Sequence, residues 1–312
     1  SNIPIQAGIF FNKKKHAELE NFISNHRIDL VMGFLIRTWP YLENLKNNTV
    51  IHFIDSMTLN FERRLNNASF FIKKLLKMEI NRLKIYEKSA SEGSILSMAV
   101  SLLDANYLSS SSNKIIDPLS IDLKEFYPPK NQPSEIKIVF SGNMDYEPNH
   151  SSLIWFFDEI FKKLILDFPD IELNIVGRNT ANVPDYIKTH TNIKLLDNVE
   201  SMGDELRKMS ISIAPMVSGS GMQFKILEAQ ACGLSVITNS IGLGDIKCEI
   251  NEDIIVADTK KEFLSRLIQL IEDDELRKKI SRNGLNYVRK FHSNADQSIL
   301  KTFKETVELN FE

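Results

Sequence analysis

The sequence predicts an α/β protein of two units, each built on a parallel sheet. Three observations carry that prediction. Residues 131–258 alternate short β-branched runs with helical patterns, the spacing of βαβ units. The turns after those runs, "SGNMDYEPN", "VGRN" and "APMVSGSG", place glycine and polar residues where doubly wound sheets hold ligands. Between the halves, "NKIIDPLSIDLKEFYPPKNQPSE" holds four of the ten prolines and reads as a linker. A length of 312 residues suits two domains.

In the first half, "RIDLVMGFL" and "NTVIHFIDS" read as strands and 66–90 as a long helix. "SILSMAVS" follows as a strand and "LLDANYL" as a short helix. In the second half the expected strands are 136–142, 171–177, 193–196, "ISIAP", "LSVITN" and "DIIVAD". A helical pattern over "NHSSLIWFFDEIFKKLILDFP" separates the first two. Residues 259–312 read as three helices, and "EDDE" at 272–275 as an exposed N-cap cluster between two of them.

Composition narrows the class. Hydrophobic content of 43% with 25% charged residues is that of a globular protein. No apolar run reaches the roughly 20 residues of a membrane span, and the N-terminus lacks a signal-peptide pattern. Cys232 and Cys248 form no metal spacing and read as free thiols in a reducing cytoplasm. Residues 1–130 carry 17 Lys+Arg against 13 Asp+Glu, and the remainder 21 against 28. This asymmetry implies halves with different partners, neither basic enough for nucleic acid.

The most informative stretch is "SGSGMQFKILEAQACGLSVITN", 218–239. Gly219, Ser220 and Gly221 allow close backbone approach to a ligand, and the helix start behind them favours an anion. At 100° per residue Gly221, Lys225, Glu228 and Cys232 share one stripe, with Phe224, Leu227 and Ala231 beside it as the expected core face. A diphosphate near Lys225 and ribose hydroxyls on Glu228 fit that order. A lone K-x-x-E is more often a surface ion pair; the glycine turn and flanking strands favour the ligand reading.

These residues resemble glycosyltransferase family 4 (glycosyl transferases group 1), with its two-domain GT-B fold. The match includes "GSGMQFKILEAQACGLSVIT", "IVFSGNMDYEPN", "LNIVG", "DDELRKKISRNGLNYV" and the linker into "FYPP". In the first half, "FIDSM" and "LKMEINRLKIYEKSASEGSILSMAVSLLDA" are similar to bacterial members serving surface-polysaccharide assembly. The resemblance implies two Rossmann-like domains with parallel sheets facing across a cleft. These would be an acceptor-side domain at 1–130, a nucleotide-sugar domain at 131–292, and a C-terminal helix, 293–312, crossing back to the first domain. The first domain is expected to be shortened, because "SNIPIQAGIFFNKKK" lacks the usual opening strand and glycine-rich loop.

The resemblance further implies roles. Lys225 would neutralise the donor diphosphate and Glu228 would hold the ribose. Gly142, Asn143, Gly177, Arg178, Ser220, Gly221, Met222 and Gln223 would line the donor. Ser220 stands where many members have glutamate. Pro148 and Asn149 stand near an expected lysine, and Asn143 and Gln223 where arginine is common, so the site holds fewer cations than a typical member. The implied activity is a retaining, metal-independent transfer, of hexosyltransferase type, from a nucleotide-diphospho-sugar to a saccharide or lipid-linked acceptor. Polysaccharide biosynthesis in the cytoplasm is the expected setting. No cofactor is called for, the nucleotide-sugar being a substrate. No Asp-x-Asp stands at a strand end as a metal site.

Two further features belong to the first half. Asp55, ending the "VIHFIDS" strand, is the acceptor-side catalytic candidate, and His52 reads as structural. Residues 70–88 carry six basic and two acidic residues beside an apolar stripe. They suit either a packed amphipathic helix or a peripheral contact at the inner face of the plasma membrane. The rival readings are a GT-B nucleotide-sugar 2-epimerase, for which no carboxylate and histidine set can be assigned, and a binding subunit without catalysis. A dehydrogenase is disfavoured because "SGNMDY" is not G-x-G-x-x-G.

Overall fold

The computed structural model describes all residues except 1–2, 46–47, 66–68, 111–112, 119, 132, 219–221, 294–296 and 309–312. The chain divides into two compact units, one of 1–118 with 295–312 and the other of 119–294. Both are α/β, with parallel strands throughout.

The first unit holds a four-stranded sheet in the order β1-β2-β3-β4. Its strands are β1 (Leu30–Phe34), β2 (Asn48–Ile54), β3 (Leu96–Ala99) and β4 (Lys114–Ile116). β4 lies within the stretch read as linker. It is three residues long and ends two residues before Pro118, which leaves no periodicity to detect. The single helix expected at 66–90 is Phe70–Gly93, preceded by a separate helix, Met57–Leu65. Two helices unassigned from the sequence, Ile5–Phe10 and Lys13–Asn25, precede β1. The helix Gln297–Glu308 belongs to this unit, and its Phe303 packs against Val50, Leu96, Met98 and Ile115.

The second unit holds six strands in the order β10-β9-β8-β5-β6-β7. They are β5 (Lys137–Ser141), β6 (Glu172–Gly177), β7 (Ile193–Asp197), β8 (Ile211–Ala214), β9 (Ser235–Thr238) and β10 (Ile255–Val256). All six were expected from β-branched runs bounded by turns. One face packs a phenylalanine-rich cluster, with Phe140, Phe156, Phe157, Phe161 and Phe263 at most 1% exposed. Burying each such side chain stabilises the fold by roughly 1.5–3 kcal/mol before entropy is counted. The other face packs Val139, Val176, Ile226, Leu227, Val236 and Val288.

The linker does not run free to residue 130. Ile121 and Phe126 are buried in the second unit, the Ile121 amide donates to His292 O (2.7 Å), and Arg207 donates to Glu125 O (2.8 Å). The boundary therefore falls at 118/119, earlier than the prolines suggested.

Strand order reverses between β5 and β8, the switch point at which doubly wound sheets open a crevice. β5 pairs with β6 as far as Ser141↔Val176, but with β8 only at Ile138↔Ile211 and Val139↔Ser212. The two strands thus part toward their carboxyl ends.

Candidate functional site

The turn after β5 is held open by two glycines. Gly142 has φ +150° and Gly177 φ +151°. A Cβ on Gly177 would fall 2.0 Å from Gly142 O, so no other residue lets these loops approach so closely. The Gly142 amide donates to Val176 O (2.9 Å) and the Met144 amide to Arg178 O (2.9 Å). Asn143 Oδ1 accepts from the Asp145 amide (3.0 Å) and from Asn179 Nδ2 (3.1 Å). Asp145 also accepts from Asn179 (2.6 Å) and Asn182. Asn143 and Arg178 are exposed here.

On the other side of the switch point, β8 leads into the segment before the helix Phe224–Ala231. Thr238 Oγ1 donates to Ala214 O (2.7 Å), Asn239 Nδ2 to Met216 O (2.7 Å), and the Val217 amide to Ser152 Oγ (3.1 Å). The helix has Gln223 at its N-cap, whose side chain caps nothing, so its first amides are not taken by a capping side chain. Met222 and Gln223 are half-buried, and Met222 packs on the cluster around Ile226. Ser220 and Gly221 lie outside the described residues.

Lys225 joins the two sides. Its ammonium is buried, 2.6 Å from Asn149 Oδ1 and 4.8 Å above the Phe140 ring. Asn149 is anchored in turn, Nδ2 donating to Asn143 O (3.0 Å). An ammonium has three protons to give. One goes to Asn149, and Met216 Sδ at 4.0 Å is a weak second acceptor. Among the described residues the third has no partner. Burial pushes the Lys225 pKa down to about 8, against the pull of Glu228.

Glu228 lies one turn on, half-buried, its carboxylate without a hydrogen bond among the described residues. Burial, then the charge of Glu125, push its carboxyl up to about 7, with Lys225 acting the other way. The core face of the helix differs from expectation. Ile226, Leu227, Ala229 and Ala231 are buried, as is Lys225, whereas Phe224 is 45% exposed. Phe224 lies in the first turn, beyond the edge of the sheet cluster that covers the rest.

The structure thus gathers Gly142, Asn143, Gly177, Arg178, Met222, Gln223, Lys225 and Glu228 about the carboxyl ends of β5, β6 and β8. Asp55 lies in the other unit, just past β2, half-buried. His52 accepts from the Ile54 amide at Nδ1 (3.0 Å), so a neutral ring carries its proton on Nε2, facing Asp117 (3.2 Å). Sequence reading missed Asn149 as the anchor of Lys225. It had marked the position only as a missing lysine. It also missed Ser141, whose buried Oγ has no partner among the described residues.

Residues 135–273 match the profile of the family described as "Glycosyl transferases group 1". The match lies within the second unit, 119–294. A protein from Klebsiella pneumoniae, "Uncharacterized 44.6 kDa protein in cps region", is 24% identical over 160 residues, covering 49% of this chain and 41% of that one. The chain therefore matches less than half the length of that curated relative. Among solved structures, sucrose-phosphate synthase from Thermosynechococcus elongatus superposes with a TM-score of 0.75 at 13% identity, over 96% of this chain and 77% of that one. Anabaena Alr3699/HepE in complex with UDP-glucose gives 0.71 at 13% identity, over 93% and 82%. The fold is thus of the GT-B kind. Among the described residues, no group of three His, Cys, Asp or Glu side chains could hold a metal ion.

Proposed function

We propose that this glycosyltransferase moves a sugar from a nucleotide-diphospho-sugar to a saccharide or lipid-linked acceptor, with retention and without a metal ion, in bacterial polysaccharide biosynthesis. The observation that carries the reading is Lys225: a buried ammonium at the switch point, held among the described residues by one neutral amide and keeping a proton to give. In the reaction the acceptor oxygen bonds to the anomeric carbon as the bond to the β-phosphate oxygen breaks. The bonding pair leaves on the diphosphate, whose departing oxygen takes up the acceptor's hydroxyl proton. Lys225 and the first amides of its helix meet that charge where it forms, without reorganising. Glu228 is suited to the ribose hydroxyls, and Asp55 is the acceptor-side catalytic candidate. The cps-region relative supports a polysaccharide setting, and the Anabaena complex makes UDP-sugars the first donors to test. A cytoplasmic site of action fits this donor.

Calorimetry with UDP, GDP, ADP and CMP identifies the base. The corresponding UDP-sugar, incubated with an acceptor extract in EDTA, is expected to give new glycoside with the donor's anomeric configuration. An isomerised donor, inversion, or an absolute need for added metal would each overturn that part of the reading. Glu228→Ala is expected to weaken nucleotide binding by about 1–3 kcal/mol, the scale of lost charged hydrogen bonds; unchanged affinity would make Glu228 structural.

A further inference from the structure

The helix Phe70–Gly93 contains two carboxylates between residues 70 and 91, Glu79 and Glu87, and both are turned into the protein, 3% and 0% exposed. Glu79 accepts from the Ile5 amide, and Glu87 from the Met57 amide and Ser56 Oγ. What remains outside is of two kinds. Leu75 (57% exposed), Met78 (51%) and Ile85 (72%) recur at i, i+3 and i+10, one apolar stripe at helical spacing, with Phe71 and Ile72 exposed at its start. Lys74, Lys77, Lys84 and Lys88 run along one side of it, all exposed. Lys84 pairs with Glu62 and Lys88 approaches Glu92. Lys73, Lys74 and Lys77 make no ion pair among the described residues.

We propose that this face is the surface by which the first unit lies on an anionic lipid bilayer. A stripe of large apolar side chains beside lysines without an ion pair among the described residues, with Glu79 and Glu87 withdrawn and Glu92 exposed only at the helix's last turn, is the pattern of a helix lying in the headgroup plane. The stripe enters the acyl boundary while the lysine stems reach back to phosphate. The contact is peripheral, since no helix among the described residues is long and apolar enough to cross a membrane. A second copy would set lysines against lysines, and a covering protein segment would have to neutralise them, whereas lipid phosphates supply that charge. The inference rests on this helix alone and stands apart from the donor chemistry.

The test is flotation of the whole chain with vesicles of phosphatidylcholine, with or without about one third phosphatidylglycerol. Binding is expected with the anionic vesicles alone and should fall with salt. Lys73→Ala, Lys74→Ala and Lys77→Ala combined are expected to weaken it about tenfold or more, and Leu75→Ser with Ile85→Ser to abolish it. Circular dichroism and nucleotide affinity should stay unchanged in both variants. Because Lys74 and Lys77 are exposed and Lys73 half-buried, none of them in the core, the lysine variant tests the idea even if the apolar variant misfolds. Failure to float, equal binding to neutral vesicles, or wild-type binding by the lysine variant would overturn the proposal. So would a concentration-dependent dimer that Leu75→Ser dissolves, since the face would then join two copies.

Discussion

Each unit buries ionisable groups, and those of the two units are satisfied differently. Glu87 of the first unit accepts from the Met57 amide (2.7 Å) and from Ser56 Oγ (3.0 Å), while the buried Asp104 accepts from the Ser56 amide (2.8 Å) and from Ser101 Oγ (2.6 Å). These carboxylates close the start of the helix Met57–Leu65, which needs such acceptors for its unpaired amides. Among the described residues Lys225 of the second unit has one strong partner, the neutral Asn149. A buried charge whose partners are all present is structural, whereas one left a proton to give among the described residues is, on the function proposed above, prepared for an incoming anion. Counting partners separates the two, which burial alone does not.

The comparison is broken most sharply at Lys225. Lys225→Met keeps the volume and removes the charge. It is expected to cost about 3–4 kcal/mol in stabilisation of the departing diphosphate, with stability unchanged or raised, as when a poorly compensated buried charge becomes apolar. Glu87→Ala should do the opposite, lowering unfolding free energy by about 1.5–3 kcal/mol and leaving nucleotide affinity alone. Calorimetry and urea melts on both variants would expose any exchange of these roles. Asn149→Asp comes next. A carboxylate there would pair with Lys225 and face the diphosphate, weakening nucleotide binding about tenfold while raising the melting temperature. Tighter nucleotide binding would show that Asn149 does not govern the lysine.

The smallest effect is on pH dependence. Folding raises the Glu87 carboxyl from 4.5 to about 7, burial outweighing its hydrogen bonds. Its contribution is therefore full below about pH 4.5 and lost as pH rises through about 7. Glu228, also raised to about 7, shares that window. Lys225, lowered from 10.5 to about 8, has the opposite one: its contribution is present above about pH 10.5 and lost as pH falls through about 8. Glu87→Gln should flatten the slope between about pH 4.5 and 7 and leave the alkaline limb unchanged in denaturation curves across pH.

The sequence made the second unit legible because its strands are β-branched runs bounded by glycine and proline, and because Lys225 and Glu228 lie within one helix. Asn149 could not be read that way, since its contact with Lys225 spans 76 residues and depends on where β5 and β8 part. The first unit was harder for a different reason. Its longest helix buries Glu79, Ile80, Leu83, Tyr86, Glu87 and Ala90 on one face, so two charges sit inside an otherwise apolar periodicity. A net-charge count of that helix hides where its carboxylates point. That face, at spacings of i, i+1, i+4, i+7, i+8 and i+11, was nevertheless present in the sequence.

Titrating the donor nucleotide into wild type and Lys225→Met by calorimetry, with a urea melt of each, tests the central claim most directly. The account predicts that the variant folds at least as stably as wild type and binds the nucleotide diphosphate at least a hundredfold more weakly, about 2.7 kcal/mol or more. Equal affinity in a folded Lys225→Met protein would contradict it, and the buried ammonium would then be a structural group like Glu87.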